Sequence, residues 1–379
     1  MTNDDLEIKR GLKDIYIDTT KSSYIDGENG RLFYRGYDIN QLANNSTFEE
    51  TSYLLMHGEL PNERELEKFD SELKSARKLP DKVIEIIRNV QSSHPMDVLR
   101  TSISALSAFD VDVNDNSREA NLRKGIRLTA QSPAIVAAHD RIRRGENVIP
   151  PDENLSHASN FLYTLTGEIP DKEDGKLLDK DFLLHAEHGL NASSFGARIT
   201  ASTQSDLHSA VTTGVGILKG PSHGGAAESV MKMAIDIGEP DNTEEYINNL
   251  LSNRGRVMGF GHRVYKSVDP RAIHLRDDAK KLGERKNQTK WYSILESIAE
   301  LMVPYAKKGI CQNVDFFSGA IYYLMGISED LYTSIFTMGR IPGWTAQVME
   351  QFEKNILIRP RLLYDGLLDI DYVPIKKRS

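Results

Sequence analysis

The hydrophobic and polar positions of this chain follow different patterns before and after residue 40. Residues 23–26 and 31–34 mix polar with apolar and aromatic side chains and flank Asn29-Gly30, which predicts two strands joined in a tight hairpin. Farther along, apolar residues recur three and four positions apart, which is the spacing of amphipathic helices. Because no series of alternating strands and helices follows, a parallel α/β sheet is disfavoured. The pattern predicts an all-α protein with one short N-terminal β-hairpin.

Several of the predicted helices have explicit boundary signals. Thr47 and Glu50 form a capping box, and Gly58 ends the helix that this box opens. Two more helices begin after Asn62 and after Pro80. Further helices are predicted over residues 96–109, 119–144, 155–165, 181–200, 207–218, 226–237, 244–253, 272–282, 291–307, 318–326, 331–340 and 344–356.

The composition is that of an ordinary soluble globular protein large enough for about two domains. The chain has 379 residues and a formal net charge of -8, so nonspecific nucleic-acid binding is disfavoured. Its one cysteine, Cys311, excludes an intrachain disulfide and indicates a reducing compartment. The acidic N-terminus lacks the apolar segment of a secretory signal, and no apolar run is long enough to span a bilayer. We therefore expect a cytoplasmic protein.

The first candidate for chemistry is the loop from Gly259 to Arg271. Gly259 and Gly261 allow sharp turns, so this loop presents His262 rather than packing it on a regular face. Arg271 follows a proline and opens the next helical pattern. An imidazole and a guanidinium held in this way suit a small anionic substrate, the first at an oxygen and the second at a carboxylate. Taken alone, the loop is explained equally well by solvated charges between glycines and a proline.

A second histidine loop, residues 220–225, reads Gly-Pro-Ser-His-Gly-Gly. It matches the G-x-S-x-G nucleophile elbow of α/β-hydrolases, with Ser222 as the nucleophile, but the surrounding chain lacks their repeated strand-helix units. His223 lies near the predicted start of the helix over 226–237. There the helix dipole favours a neutral imidazole, which can donate a hydrogen bond to a developing enolate. The alternative is a histidine that only caps the helix.

Asp315 is the candidate general base. It precedes the predicted helix over 318–326 and is followed by two aromatic residues, so it is either a capping carboxylate or a base whose pKa burial raises. His185 and His188 would lie on one face of the helix over 181–200, a spacing compatible with a metal. Since no companion Cys or His pair lies nearby, we predict no metal site. One of these histidines would face a pocket and the other would be structural.

Four motifs together resemble citrate synthase in both order and spacing. They are the segments 220–225, Gly259-Phe-Gly-His-Arg-Val-Tyr, Asp269-Pro-Arg and Asn313-Val-Asp-Phe-Phe-Ser-Gly. The similarity extends over nearly the whole chain. The length of the chain resembles that of the short form found in archaea and many bacteria. The resemblance implies the citrate synthase fold, with residues 1–221 and 322–379 in a large helical domain and residues 222–321 in a smaller one. It also implies a homodimer.

The resemblance implies roles for individual residues. Asp315 would remove a methyl proton from acetyl-CoA, His223 would hydrogen-bond the thioester oxygen, and His262 would polarise the ketone of oxaloacetate. No cofactor is implied, because acetyl-CoA is a substrate. Oxaloacetate would be held by His188, Arg271, Arg340 and, from the partner subunit, Arg359. CoA would be contacted by Arg256, Val257, Met258, Gly259 and Gly261 along the adenine and by Lys308 at a phosphate.

The implied reaction is condensation of acetyl-CoA with oxaloacetate to citrate and CoA, which brings carbon into the tricarboxylic acid cycle. A 2-methylcitrate synthase, which uses propionyl-CoA, is the alternative, and residues 94–101 and 156–163 also resemble enzymes that accept both acyl groups. A non-catalytic helical protein that binds CoA or a metabolite is a third hypothesis. Ser222 stands where the family usually has Leu, and Gln312 where Pro often precedes Asn-Val-Asp. Both departures flank the chemical groups rather than replace them.

Overall fold

The computed structural model describes residues 8–12 and 15–378, and this part of the chain is almost entirely helical. The acidic N-terminal heptapeptide discussed above lies outside the described residues. The strands are β1 (Ser23–Asp26), β2 (Arg31–Tyr34) and β3 (Tyr37–Asp38). The helices are α1 (Ile39–Asn45), α2 (Phe48–His57), α3 (Glu63–Ala76), α4 (Asp81–Asn89), α5 (Pro95–Leu106), α6 (Arg118–Arg143), α7 (His157–Thr166), α8 (Lys172–His185), α9 (Ala192–Ser202), α10 (Leu207–Leu218), α11 (Ala226–Ile237), α12 (Thr243–Ser252), α13 (Pro270–Arg285), α14 (Lys290–Ala306), α15 (Asp315–Leu324) and α16 (Tyr332–Glu353).

The predicted hairpin is confirmed and extended by one strand. β1 pairs antiparallel with β2, with Ser23 opposite Tyr34, and β2 pairs with the short β3. Tyr34 is fully buried, and its hydroxyl donates to the carbonyl of Leu184 at 3.1 Å and accepts from the backbone N–H of Glu187 at 3.2 Å. The sheet is therefore fastened to the end of α8 and to the loop that follows it.

Local signals determine several helix ends as predicted. Thr47 makes half of the predicted capping box, since its side chain accepts from the backbone N–H of Glu50 at 3.2 Å, and Gly58 ends α2 with a φ of 99°. The predicted helices over 207–218 and 226–237 are confirmed as α10 and α11. α1 and the first nine residues of α8 were not predicted. Asp38 caps α1 by accepting from the backbone N–H of Asn40.

The single helix predicted over 181–200 is wrong. α8 ends at His185 and α9 begins at Ala192, with a loop between them. Gly189 has a φ of 58°, a left-handed conformation that interrupts the helix. The side chain of Asn191 then accepts from backbone N–H groups in the first turn of α9 and caps that helix. His185 and His188 consequently do not share a helix face.

The two helices predicted over 331–340 and 344–356 are one helix, α16, which continues through Pro342. α16 is buried along nearly all of its length, and this packing offsets the backbone hydrogen bond that a proline removes. Gly339 and Gly343 allow direct backbone contact with α8 and its following loop, because a Cβ at these positions would lie 2.9 Å from the carbonyl of Phe182 and 2.1 Å from that of Ala186. α16 is thus the central helix of the core, packed against α2, α6, α8, α9 and α10. No helix among the described residues is both long and apolar enough to cross a membrane.

Candidate active site

The loop before α13 is joined by backbone hydrogen bonds to the segment that leads into α15. The backbone N–H of Gly261 donates to the carbonyl of Cys311 at 2.8 Å, and that of Asn313 donates to the carbonyl of Gly259 at 2.9 Å. Gly259 has a φ of 79°, and a Cβ there would lie 2.6 Å from the ring of Phe316. The glycine spacing seen in the sequence therefore serves a close contact between the loop and the first turn of α15.

His262 is held in one tautomer by its own loop. Its Nδ1 accepts from the backbone N–H groups of Val264 at 3.0 Å and Tyr265 at 3.1 Å. Burial lowers the pKa of His262 to about 4, and the nearby Arg271 acts in the same direction. The ring is therefore neutral near pH 7 and carries its hydrogen on Nε2, which makes Nε2 a hydrogen-bond donor.

Two buried arginines each keep one terminal nitrogen without a partner. Arg271 makes a double contact with Asp269, at 3.0 Å from Nε and 2.6 Å from Nη2, while its Nη1 has no hydrogen-bond partner among the described residues. Arg340 donates from Nε to the carbonyl of His185 at 2.5 Å, and its Nη1 is likewise unpartnered. Burial lowers the pKa of Arg340 to about 10, so it remains charged near neutral pH. Leaving buried cations short of partners is costly, which points to an anionic ligand with more than one acceptor group.

His188 lies in the loop between α8 and α9, beside the His262 loop. Its Nε2 is 3.1 Å from the hydroxyl of Tyr265, and its ring centre is 5.0 Å from that of His262. Burial and the charge of Arg271 lower the pKa of His188 well below its ordinary value, so it is neutral.

Donor atoms of His188, His262 and Asp269 lie within 4.8 Å of one another, a set that could hold a metal ion. Both carboxylate oxygens of Asp269 already accept from Arg271, and Nδ1 of His262 already accepts from the backbone. A metal would have to displace these bonds, so the donor set suits hydrogen bonding to a small molecule better.

Asp315 is the first residue of α15, so the prediction that it precedes its helix is wrong by one turn. It does not cap the helix; instead its backbone N–H donates to the side chain of Asn313 at 3.1 Å. The carboxylate is buried, and its Oδ1 has no partner among the described residues. Burial raises the pKa of Asp315 to about 6, with the Arg271 guanidinium opposing part of the rise. These are the properties of a general base rather than of a capping residue.

His223 lies in the loop before α11 and does not cap that helix, which begins at Ala226. The backbone N–H of Ser193 donates to its Nε2 at 3.4 Å, and the Ser193 hydroxyl is 2.9 Å from the same nitrogen. Burial lowers the pKa of His223 to about 4, and Arg340 adds to this effect. Ser193 is a site residue that sequence reasoning missed; its only signal was its place two residues after the cap Asn191.

The structure does not support Ser222 as the nucleophile of a hydrolase. Ser222 is exposed and lies between two helices, α10 and α11, whereas the nucleophile elbow requires a strand before the turn. Six of the predicted residues lie close together, and the charges of the two arginines among them influence the pKa values of the histidines and the aspartate. They are His188, His223, His262, Arg271, Asp315 and Arg340.

The predicted CoA residues lie beside this neighbourhood. Arg256 is exposed in the segment between α12 and α13, Val257 is buried in the core, and Met258 is half-buried. Lys308 lines a cleft of about 760 Å³ that also reaches His262. Three further basic residues line the same cleft and were not singled out from the sequence: Arg263, Lys266 and Lys307.

Arg359 does not meet the other site residues within a single chain. It lies in the segment after α16, which has little regular structure, and its side chain is exposed.

Comparisons with known proteins identify the family of the chain. The model of the citrate synthase C-terminal domain matches residues 11–361. The chain is 47% identical over 378 residues to the citrate synthase of Haloferax volcanii, covering 98% of this chain and 99% of that one. It is 40% identical over 381 residues to 2-methylcitrate synthase 1 of Corynebacterium glutamicum, covering 99% and 100% of the two chains.

Among solved structures, the citrate synthase of Thermoplasma acidophilum in a ternary complex with carboxymethyl coenzyme A and oxaloacetate superimposes with a TM-score of 0.94. It is 33% identical, and the match covers 98% of this chain and 100% of that one. The chain therefore belongs to the citrate synthase family, a family of acyltransferases.

Proposed function

We propose that this chain condenses acetyl-CoA with oxaloacetate and water to give citrate and CoA, at the entry of carbon into the tricarboxylic acid cycle. One observation carries the proposal: the buried carboxylate of Asp315 lies near the two buried guanidinium groups of Arg271 and Arg340, and each of the three has a polar atom without a partner in the described part of the chain. A base and a clamp for a dicarboxylate are two of the groups that this condensation needs. The reaction uses no cofactor, since acetyl-CoA is itself a substrate.

The first step is enolisation of the thioester. Asp315 takes a proton from the methyl group of acetyl-CoA, and the electron pair moves onto the thioester oxygen. With Nε2 of His223 accepting from Ser193, the imidazole hydrogen is on Nδ1, which donates to that oxygen. A donor placed at a developing oxyanion contributes about 3–4 kcal/mol, and the base contributes roughly 10²–10⁴ in rate.

In the second step, the enol carbon attacks the ketone carbon of oxaloacetate. Nε2 of His262 donates its hydrogen to the oxygen that becomes the alkoxide. Arg271 and Arg340 hold the carboxylates through their free nitrogens, and His188 adds a neutral donor. Water then hydrolyses the thioester of the condensed product, which releases CoA.

We propose that CoA lies along the cleft next to His262. Lys308 and its neighbours Arg263 and Lys307 supply positive charge there, which suits the phosphates of CoA. Arg256, Val257, Met258, Gly259 and Gly261 would run along the adenine, with the buried Val257 contributing backbone groups. The overall charge of the chain is negative, so this cluster is a local feature.

We propose that the protein is a homodimer in which Arg359 completes the site of the partner subunit. The segment after α16 supports this proposal, because it exposes large apolar side chains that a single chain leaves uncovered. Leu362 is 98% exposed, Tyr372 80% and Ile356 78%. A second copy of the chain is the occupant that would cover these residues and receive the arginine.

Mixing inactive subunits tests the shared site. Asp315→Asn and Arg359→Ala are each expected to be inactive as pure proteins. After denaturation and refolding together, mixed dimers contain one site with both Asp315 and Arg359, so about a quarter of wild-type activity returns. If Arg359 served its own subunit, no activity would return on mixing.

The division into domains and the cellular location are also proposals. Residues 222–321 would form the smaller domain, which closes over the substrates and excludes water; packing of α11, α13 and α14 around α15 supports this division. We propose a cytoplasmic location because the one cysteine, Cys311, is a free thiol.

The choice of acyl group distinguishes the second candidate function. The relative named citrate synthase is more similar to this chain than the one named 2-methylcitrate synthase, which favours acetyl-CoA. An additional methylene changes pocket preference by only about 1–3 kcal/mol, so the two substrates must be compared directly. We expect a higher kcat/KM for acetyl-CoA than for propionyl-CoA when CoA release is followed with saturating oxaloacetate. A preference for propionyl-CoA would assign the chain as a 2-methylcitrate synthase.

A further inference from the structure

We propose that Tyr265 is a positioning residue for both histidines at the oxaloacetate site, and that its hydroxyl holds His188 with the hydrogen on Nδ1. This inference rests on the proposed function for the identity of the ligand. The hydrogen-bond geometry within the chain stands without it.

Tyr265 contacts both histidines through different groups. Its hydroxyl lies 3.1 Å from Nε2 of His188, and its backbone N–H donates to Nδ1 of His262 at 3.1 Å. Its ring centre is 4.7 Å from that of His262 and 5.4 Å from that of His188. Only 1% of the residue is exposed, so water does not compete for these contacts. One residue thus joins the two loops that supply the histidines.

The main chain around Tyr265 has its own supports. The backbone N–H of Lys266 donates to the carbonyl of Gly27 at 2.9 Å, in the turn after β1. A Cβ on Gly27 would lie 2.3 Å from the carbonyl oxygen of Val264, so the two backbones are in close contact. The tyrosine is therefore held by the β-hairpin on one side, and it can hold His188 on the other.

The direction of the hydroxyl bond follows from the protonation of both partners. Burial and the carboxylate of Asp269 raise the pKa of Tyr265, so the phenol keeps its hydrogen. Burial lowers the pKa of His188 well below its ordinary value, so the imidazole has one hydrogen and one free acceptor nitrogen. No other acceptor for the Tyr265 hydroxyl occurs among the described side chains and backbone groups. Tyr265 therefore donates to Nε2, and the hydrogen of His188 is left on Nδ1 to meet a substrate oxygen.

Tyr265→Phe removes the hydroxyl and keeps the ring and the backbone N–H. We expect the KM for oxaloacetate to rise about threefold to tenfold, which is the loss of one neutral hydrogen bond, while kcat stays within about twofold. The KM for acetyl-CoA is expected to stay unchanged. Tyr332→Phe is the matched control, because Tyr332 is equally buried and its hydroxyl has no hydrogen-bond partner within the part of the chain that the structure describes. Equal oxaloacetate KM values in wild type and Tyr265→Phe would overturn the positioning role.

The tautomer of His188 is measured separately from catalysis. In ¹⁵N NMR spectra of the imidazole nitrogens, with His188 assigned by its absence in His188→Gln, the wild type is expected to show Nδ1 protonated and Nε2 unprotonated. Tyr265→Phe is expected to populate the other tautomer. A wild-type signal with hydrogen on Nε2 would overturn the inference even if condensation is confirmed. Failure of wild-type condensation with the expected tautomer would instead contradict only the proposed function.

Discussion

Two clusters of aspartates and arginines in this molecule use the same residue types and differ in what they leave unpaired. In the first, Arg127 donates to Asp110 at 2.6 and 2.9 Å and to Asp112 at 2.6 Å, while Arg123 donates twice more to Asp112. In the candidate active site, Arg271, Arg340 and Asp315 each keep one buried polar atom that has no partner among residues 8–12 and 15–378. We call these the paired cluster and the active-site cluster.

The difference separates structural charges from functional ones. Hydrogen bonds from Arg123 and Arg127 hold the pKa of Asp112 well below its ordinary value, so that carboxylate is a poor base. Burial raises the pKa of Asp315 to about 6, close to the pH at which a base must operate. Residue type alone does not distinguish the two clusters. What distinguishes them is that the active-site cluster has unsatisfied hydrogen-bonding atoms beside a cleft.

The largest expected effect comes from removing the base. Asp315→Asn preserves shape but cannot accept a proton, so we expect kcat to fall by about 10²–10⁴ with the fold retained. The matched change in the paired cluster, Asp112→Asn, is expected to leave kcat within about twofold and to lower the melting temperature. CoA release and thermal unfolding measure the two outcomes. If Asp315→Asn retained wild-type turnover, Asp315 would not be the catalytic base.

The next effect concerns the clamp. Arg340→Gln removes a charged donor to a substrate carboxylate, and we expect kcat/KM for oxaloacetate to fall by about 10- to 100-fold. Arg127→Gln is its counterpart in the paired cluster, and its oxaloacetate kinetics should match the wild type. Equal losses in the two variants would mean that the clusters do not differ in the way proposed. Steady-state kinetics with varied oxaloacetate decides between these outcomes.

The pH dependence is a smaller and graded effect. The base acts only when ionised, and the pKa of Asp315 is raised from 3.8 to about 6. The rate at saturating oxaloacetate should therefore be flat above pH 7 and fall about tenfold per unit once the pH is well below 6. A profile that stays flat down to pH 4.5, measured by kcat/KM for acetyl-CoA, would exclude a base with this raised pKa.

The smallest expected effect is at Ser222. The residue is exposed and lies outside both clusters, so Ser222→Ala should change kcat/KM by less than about twofold. Loss of activity in this variant would revive the nucleophile that the sequence pattern suggests. Thioester hydrolysis without oxaloacetate should be measured in the same samples.

Local signals made much of the fold and the site predictable. Asn29-Gly30 identified the hairpin, Thr47 identified a helix start, and the glycines around His262 identified a loop that presents it. These features depend on residues that are close in sequence, so the amino-acid sequence alone is enough to predict them.

The features that were missed depend on distant contacts. α16 continues through Pro342 because packing on all sides offsets the lost hydrogen bond, and no local pattern carries that information. Ser193 meets His223, and Tyr265 meets His188, across gaps of 30 and 77 residues. The role of Arg359 stays a prediction, because it requires a second chain.

One measurement tests the central claim most directly: the rate of CoA release from acetyl-CoA with and without oxaloacetate. The account predicts steady release when oxaloacetate is present, because enolisation by Asp315 leads onward only when a ketone is available for attack. Without oxaloacetate, release should fall to the background rate of thioester hydrolysis. Release at the same rate in both samples would contradict condensation and the roles assigned to Arg271, Arg340 and His262.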